Sequence, residues 1–254
     1  LTIPYVVLSP PSGGTTVQLN NTLTVSAPSG GNAISFNSAA DVINLNGQTL
    51  TIGTAGTANA ISGAGSFRGS STSNLTLLGN GSIGTLNFQT GYHNLGTLNI
   101  NRQNGIVAAT LGTALTVNTA LQMNAGHLAL GNNNLALASS VSSGNHTGSA
   151  NSFVIADGAL GTGRLVKAMT NITNGSLTLH IGDNSSPDGA QYTPAALTFS
   201  GGTFSSASYG IQVNDLKHPN NGAPTDYITR YWSISPSGTF GGSLNYAFTG
   251  TYAS

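Results

Sequence analysis

Short apolar triplets recur along the first half of the chain at an interval too long for a hairpin and too short for a domain. Leu23-Thr24-Val25, Leu50-Thr51-Ile52, Leu75-Thr76-Leu77, Leu98-Asn99-Ile100, Leu115-Thr116-Val117 and Leu135-Ala136-Leu137 begin 27, 25, 23, 17 and 20 residues apart. Their outer residues are apolar and the middle one is usually Thr, the period-2 pattern of a strand with one buried face. A unit this short cannot bury its own face, so the repeat predicts coils stacked in a solenoid. Further apolar pairs, Ile34/Phe36, Ile43/Leu45, Leu86/Phe88 and Leu121/Met123, fit the other sides of each coil. Corners such as Asn46-Gly47, Gly79-Asn80-Gly81 and Asn104-Gly105 separate the runs. Asn and Gly accept the positive φ that a sharp corner needs. The uneven spacing also fits an elongated sandwich of short antiparallel strands, and spacing alone leaves both architectures open.

Composition narrows the class further. The chain has no Glu and no Cys, six Lys or Arg, six Asp, and 35 Gly in 254 residues. Strong helix formers are scarce, so an all-β fold with almost no helix is expected. No stretch reaches the roughly 18 apolar residues of a membrane-spanning helix. Formal net charge is zero, and no cluster of Lys and Arg would draw the chain to nucleic acid or an anionic membrane. Neither partner is expected. The lack of Cys removes disulfides and thiol chemistry and is compatible with export. Near-zero charge lowers the barrier to self-association. The sequence opens without Met or a signal peptide, which reads as a processed or trimmed end.

Three segments follow. Residues 1–14 join an apolar run to the breaker Ser9-Pro10-Pro11-Ser12-Gly13-Gly14 and read as an N-terminal extension. Within it Thr2, Ile3, Tyr5, Val6, Val7 and Leu8 form either an ordinary first strand or an assembly strand donated to a neighbour's sheet. Residues 15–145 carry the solenoid-like repeat. Residues 150–254 hold most of the Asp and aromatic residues and alternate as Ser176-Leu177-Thr178-Leu179-His180-Ile181 and Ser243-Leu244-Asn245-Tyr246-Ala247-Phe248. They read as an antiparallel β-sandwich, with the boundary in the loop 139–151.

Several motifs also resemble a known group of proteins. They are Gly65-Ser66-Phe67-Arg68-Gly69, Ser73-Asn74-Leu75-Thr76-Leu77, Ile83-Gly84-Thr85-Leu86-Asn87-Phe88 and Leu95-Gly96-Thr97-Leu98-Asn99-Ile100. In the second half they are Gly163-Arg164-Leu165-Val166-Lys167, Ile181-Gly182-Asp183, Tyr192-Thr193-Pro194, His218-Pro219 and Arg230-Tyr231-Trp232-Ser233-Ile234. Across roughly residues 60–240 their order and spacing resemble the β-rich repeat modules of large secreted, adhesin-like cell-surface proteins of Bacteroidetes. The resemblance implies a cell-surface location and a β architecture. It implies no chemistry.

Candidate chemistry is sparse. Asp183, Asn184 and Asp188 share one loop, which reads either as a self-capping turn or as an oxygen-rich calcium site. Calcium is the one cofactor candidate. The five His show no paired metal spacing, and His218 near Asp215 reads as a turn hydrogen bond. Arg230, Tyr231 and Trp232 form the only dense Arg-aromatic cluster. They fit either a sugar-binding platform or a core ring beside an Arg230 paired with Asp226 or stacked on an aromatic. A polysaccharide lyase or hydrolase on a β-helix would need Asp183, Asp188 or Asp215 gathered with Lys, Arg or His. The expected function is a non-enzymatic extracellular structural protein, a block of a fibre, adhesin or matrix that self-assembles through residues 2–8. Its partners would be copies of itself or neighbouring modules. The alternatives are a carbohydrate-binding adhesin module with surface glycans as partners, and the β-helix enzyme.

Overall fold

The computed structural model describes residues 1–10, 12–169, 174–185 and 189–252. It is all-β, with no helix among the described residues, and forms a β-solenoid of about 7 turns with additional sheets.

Each early coil has three strands. The first holds β1 (Thr2–Ile3), β2 (Val6–Leu8) and β3 (Thr16–Gln18). The second holds β4 (Leu23–Val25), β5 (Gly31–Phe36) and β6 (Val42–Asn44), and the third β7 (Thr49–Ile52), β8 (Asn59–Ser62) and β9 (Ser66–Arg68). The next coils carry β10 (Asn74–Leu78) and β11 (Thr85–Leu86), β12 (Asn94–Asn101) and β13 (Val107–Leu111), then β14 (Leu115–Ala125) and β15 (His127–Ala129). The last are β16 (Leu135–Leu137), β17 (His146–Thr147) and β18 (Val154–Ile155), followed by β19 (Leu165–Ala168), β20 (Asn174–Leu179) and β21 (Ile181–Asp183).

The main sheet runs β1-β4-β7-β10-β12-β14-β16-β19, and all these pairs are parallel. Parallel pairing in register stacks equivalent residues into rows. One row is Leu23, Leu50, Leu75, Leu98 and Leu121; its neighbour is Ile3, Val25, Ile52, Leu77, Ile100 and Met123. Leu50, Ile52, Leu75 and Leu77 are fully buried, and each contributes about 1.5–3 kcal/mol relative to exposure. Phe36, Phe67 and Phe88 form a second stack, with ring centroids 5.8 and 5.9 Å apart. Polar positions stack too: Ser62 donates to Ser35 at 3.0 Å and the Asn44 amide to Gln18 at 3.1 Å. Asp41, fully buried, ties two coils together by accepting the Thr15 and Ser38 N–H groups at 2.9 and 2.8 Å.

Two corners show why Asn and Gly recur. Asn46 and Gly47 sit at φ 50° and 76°, the left-handed pair expected there. At Gly63, with φ 85°, a Cβ would lie 1.8 Å from the Phe36 carbonyl oxygen of the coil below.

The antiparallel part comprises β22 (Gln191–Tyr192), β23 (Ala195–Ser200), β24 (Thr203–Phe204), β25 (Ser208–Asn214), β26 (Tyr231–Ser237), β27 (Phe240–Gly241) and β28 (Asn245–Gly250). β25 and β26 extend the main sheet beyond β19 by antiparallel pairing, while β20, β23 and β28 form a separate antiparallel sheet. One hydrophobic core runs from Leu8 through to Val213.

The pairing decides four expectations. Parallel pairing settles the first half as a solenoid rather than an antiparallel sandwich. Of the two readings of residues 2–8, the ordinary first strand holds, because β1 and β2 pair in parallel with β4 and β5 of the same chain. The boundary at 139–151 is absent: β17 lies within that loop and pairs with β14, and parallel pairing continues to β19 and β21. Leu121 and Met123 are not another side of the coil. They pair with Leu98 and Ile100 in the main sheet, whereas Leu115 pairs onward with Leu135. The spacing of 17 residues from Leu98 to Leu115 therefore compared two different rows.

Candidate functional site

The densest group of charge lies where the last parallel coil meets the antiparallel strands. Alternation sets its first member. Leu177, Leu179, Ile181 and Asp183 follow one another at every second position and all are buried, so Asp183 enters the interior in the phase of its apolar predecessors. Two hairpins supply the rest. Asp183 faces Gln191 in the β21–β22 pair. Asn214 faces Tyr231 at the end of the β25–β26 ladder, which sets Asp215 and Arg230 side by side just beyond it.

Arg230 is 3% exposed and Asp183 is 0% exposed, so this is an interior ion pair. The Arg230 Nε lies 2.9 Å from Asp183 Oδ2, and Nη2 lies 3.2 Å from Asp215 Oδ1. The Nε–Oδ2 approach is a charge contact rather than an aligned hydrogen bond. Nη2 also donates to Gln191 Oε1, and Tyr252 covers the guanidinium at 5.6 Å. Burial raises the Asp183 pKa to about 6; Arg230 pulls it down, and Asp215 and Asp157 push it up. Asp157 is itself committed to backbone, accepting from Ala159 and Asn184 N–H at 2.8 Å each.

This geometry bears on each candidate residue. Asp183 is directed at a guanidinium, and Asn184 gives its backbone N–H to Asp157. Asp188, the third calcium candidate, lies outside the described residues. Among the described residues no group of three or more His, Cys, Asp or Glu is placed to hold a metal. Of the two partners expected for Arg230, the aromatic is present as Tyr252, while Asp183 and Asp215 stand in place of Asp226. Trp232 is half-buried: its Nε1 donates to the Thr193 carbonyl at 3.0 Å, and Gly250 lies so close that a Cβ there would sit 2.8 Å from the indole ring. Its ring also meets Phe248 at 5.6 Å. Tyr231 packs against His218 instead, with centroids 4.7 Å apart, so the two rings form no common platform. His218 accepts the Asn220 N–H at 3.1 Å, the expected turn bond. Asp183, Asp215 and Arg230 do come together as an enzyme site would need, but as a charge cluster in which Asp183 and Arg230 are buried and only Asp215 is partly exposed.

Four other buried titratable side chains matched no chemical motif. Arg102 donates through Nε to the Gly81 carbonyl at 2.7 Å, through Nη1 to Asn59 Oδ1 at 3.1 Å and the Leu78 carbonyl, and through Nη2 to the carbonyls of Asn59 at 3.0 Å and Asn80. Burial lowers its pKa to about 10. Lys167 is buried and donates to the Ala138 carbonyl. His127 and His146 are buried close to Phe153 and His180 respectively, and burial lowers their pKa values to about 4 and about 3. The usable signal was phase: Leu98, Ile100 and Arg102, and likewise Leu165 and Lys167, share an inward face by alternation.

No family model matches the chain, and no curated protein or solved structure matches it either.

Proposed function

We propose that the chain is a non-enzymatic structural module of an extracellular surface assembly, an elongated spacer within a fibre, adhesin or matrix. The observation that carries this reading is the main sheet's unbroken parallel ladder from β1 to β19. Such a stack supplies length and stiffness through main-chain hydrogen bonds, and its few surface charges leave little to desolvate against a neighbour. Arg230 and Asp183 are buried and paired with each other, which favours a holding role over a reactive one. The extracellular placement draws on the Cys-free, Glu-free composition and on the resemblance to secreted surface modules.

Residues 2–8 act in this reading as a stacking surface rather than a strand given away. β1, β2 and β3 each end their sheets. Leu1, Tyr5, Val7 and Val17 are exposed around a cavity of about 530 Å³ at that end. Open strand edges beside apolar side chains are a template for a further coil. The test is electron microscopy and light scattering of the chain beside a Val7→Lys/Val17→Lys variant, both positions being exposed. Filaments or end-to-end dimers that disappear in the variant support the reading. Monomers in both samples at high concentration remove self-assembly. A glycan-binding reading draws on the exposed Tyr227, Tyr246 and Tyr252, not on Trp232, whose indole is already engaged.

A further inference from the structure

One interior row changes character where the solenoid ends. Its paired positions are Leu95, Val117, Leu137, Lys167, Tyr209 and Pro236. Lys167 is 3% exposed and stands where the three strands before it place Leu or Val. An ammonium has three hydrogens to donate. Among the described residues Lys167 makes one hydrogen bond, to the Ala138 carbonyl, and no ion pair with a carboxylate. A buried cation held by one neutral acceptor lacks the counter-charge that normally accompanies it.

Lys167 does not face solid core. It borders a cavity of about 230 Å³ between the main sheet and the β20-β23-β28 sheet. Ser139, Ser142 and Ser176 also line it; the Ser142 hydroxyl donates to Asn145 Oδ1 at 2.8 Å and Ser176 accepts from Thr198 at 3.0 Å. Tyr209, beside Lys167 in the main sheet, and Leu197 and Phe199 of β23 complete the lining and are shared with a second cavity of about 420 Å³. That second cavity continues past Ile234 and Phe240 to Tyr246 and carries no charged residue in its lining. The result is a cleft with one cation at its inner end, hydroxyl-bearing residues beside it and an apolar channel leading away. Strands about 4.8 Å apart put the Lys167 and Pro236 positions roughly 10 Å from each other.

We propose that this cleft binds a linear alkyl carboxylate, a fatty acid or similar amphiphile. The carboxylate takes the two free hydrogens of Lys167, with Ser139 as the neighbouring hydroxyl, supplying the missing counter-charge. The alkyl chain lies along Leu197, Phe199 and Tyr209 toward Ile234. A single compact ammonium suits a monoanion, whereas a phosphate head usually recruits a guanidinium fork. The inference goes beyond the structural role proposed above and does not rest on it.

The test is calorimetric titration of the chain with decanoate, decanol and decyltrimethylammonium, each below its micellar concentration. The comparison protein is Lys167→Met, which returns the row to the apolar pattern of the strands before it; circular dichroism and urea unfolding check that it folds. The parent is expected to bind decanoate at least tenfold tighter than decanol, and not to bind the cationic amphiphile. Lys167→Met should lose that preference and bind decanoate and decanol alike. Equal decanoate affinity in a folded Lys167→Met would overturn the proposal, as would a parent that binds none of the three.

Discussion

Arg102 in the parallel coils and Arg230 at the antiparallel end are both buried, yet they are held in opposite ways. Arg102 reaches across stacked corners and ends on main-chain carbonyls and one side-chain amide, with no carboxylate among its partners. Arg230 is met by Asp183 and Asp215. The difference follows from what each region does with its backbone. Coil corners such as those at Leu78, Asn80 and Gly81 bring several carbonyls into one place, and these solvate a cation without another charge. The hairpins around Arg230 place their carbonyls in antiparallel ladders, so the cation there is neutralised by carboxylates. A repeat architecture can therefore bury charge with neutral groups, while the capping strands need ion pairs.

That contrast predicts unequal responses to removing each arginine. Arg230→Met leaves Asp183 buried beside Asp215 without its cation, and should lower stability by about 3–5 kcal/mol in urea unfolding. Adding Asp183→Leu should recover most of the loss, because a buried pair replaced by apolar groups is often neutral. No recovery in the double variant would mean that the pair does more than cancel its own charges. Arg102→Met should lose less, about 2–3 kcal/mol, since the exposed partners are neutral carbonyls. No single acidic substitution should rescue it. A change below about 1 kcal/mol would show that water replaces the guanidinium at those corners.

The same contrast explains what was legible in the sequence. The ladder was readable wherever outer apolar residues flanked a Thr, because a period-2 run with a recurring interval has few folded solutions. Leu115 misled because β14 is long enough to carry two rows, so its first triplet belongs to a different pair of neighbours from Leu121 and Met123. The Pro-Pro and Gly-Gly breaker suggested an extension, but a breaker marks a corner as readily as an end, and β1 lies in the main sheet. Asp183 was singled out for its loop, whereas its phase with Leu177, Leu179 and Ile181 was the better guide. Its pairing with Arg230 was not readable: two hairpins separate them, and their meeting depends on how those hairpins dock.

Acid should also separate the regions, with a smaller effect. His127 in β15 and His146 in β17 are held neutral, with pKa values of about 4 and about 3 against an ordinary 6.5. The unfolded chain takes up their protons first, so their contribution is intact above pH 6.5 and is lost as pH falls toward 4. Asp183 works the other way: its pKa is raised from 3.8 to about 6, so its contribution is intact below 3.8 and is lost as pH rises through 6. These two histidines, and His180, whose pKa burial also lowers, oppose one carboxylate, so the net stability at pH 5.5 should fall by at least about 1–2 kcal/mol relative to pH 7. His127→Asn/His146→Gln keeps an acceptor at each place and should flatten that decline. An unchanged acid limb in this variant would assign the sensitivity elsewhere.

The smallest expected effect lies at the open edge of the antiparallel end. β28 pairs with β23 on one side only, and Tyr246 is 70% exposed along it. At the solenoid's start β1, β2 and β3 each end a sheet, whereas at the antiparallel end β28 ends its own sheet and β26 ends the main sheet. Tyr246→Lys removes little buried area, so thermal unfolding should shift stability by no more than about 0.5 kcal/mol. A lysine on an edge strand opposes pairing with another strand, so concentration-dependent light scattering should decrease if β28 contributes to association. Unchanged scattering, together with loss of scattering in Val7→Lys/Val17→Lys, would place all association at the solenoid end. A stability loss above about 1 kcal/mol would instead mean that Tyr246 closes the cleft against Phe199, and that this edge is less open than its exposure indicates.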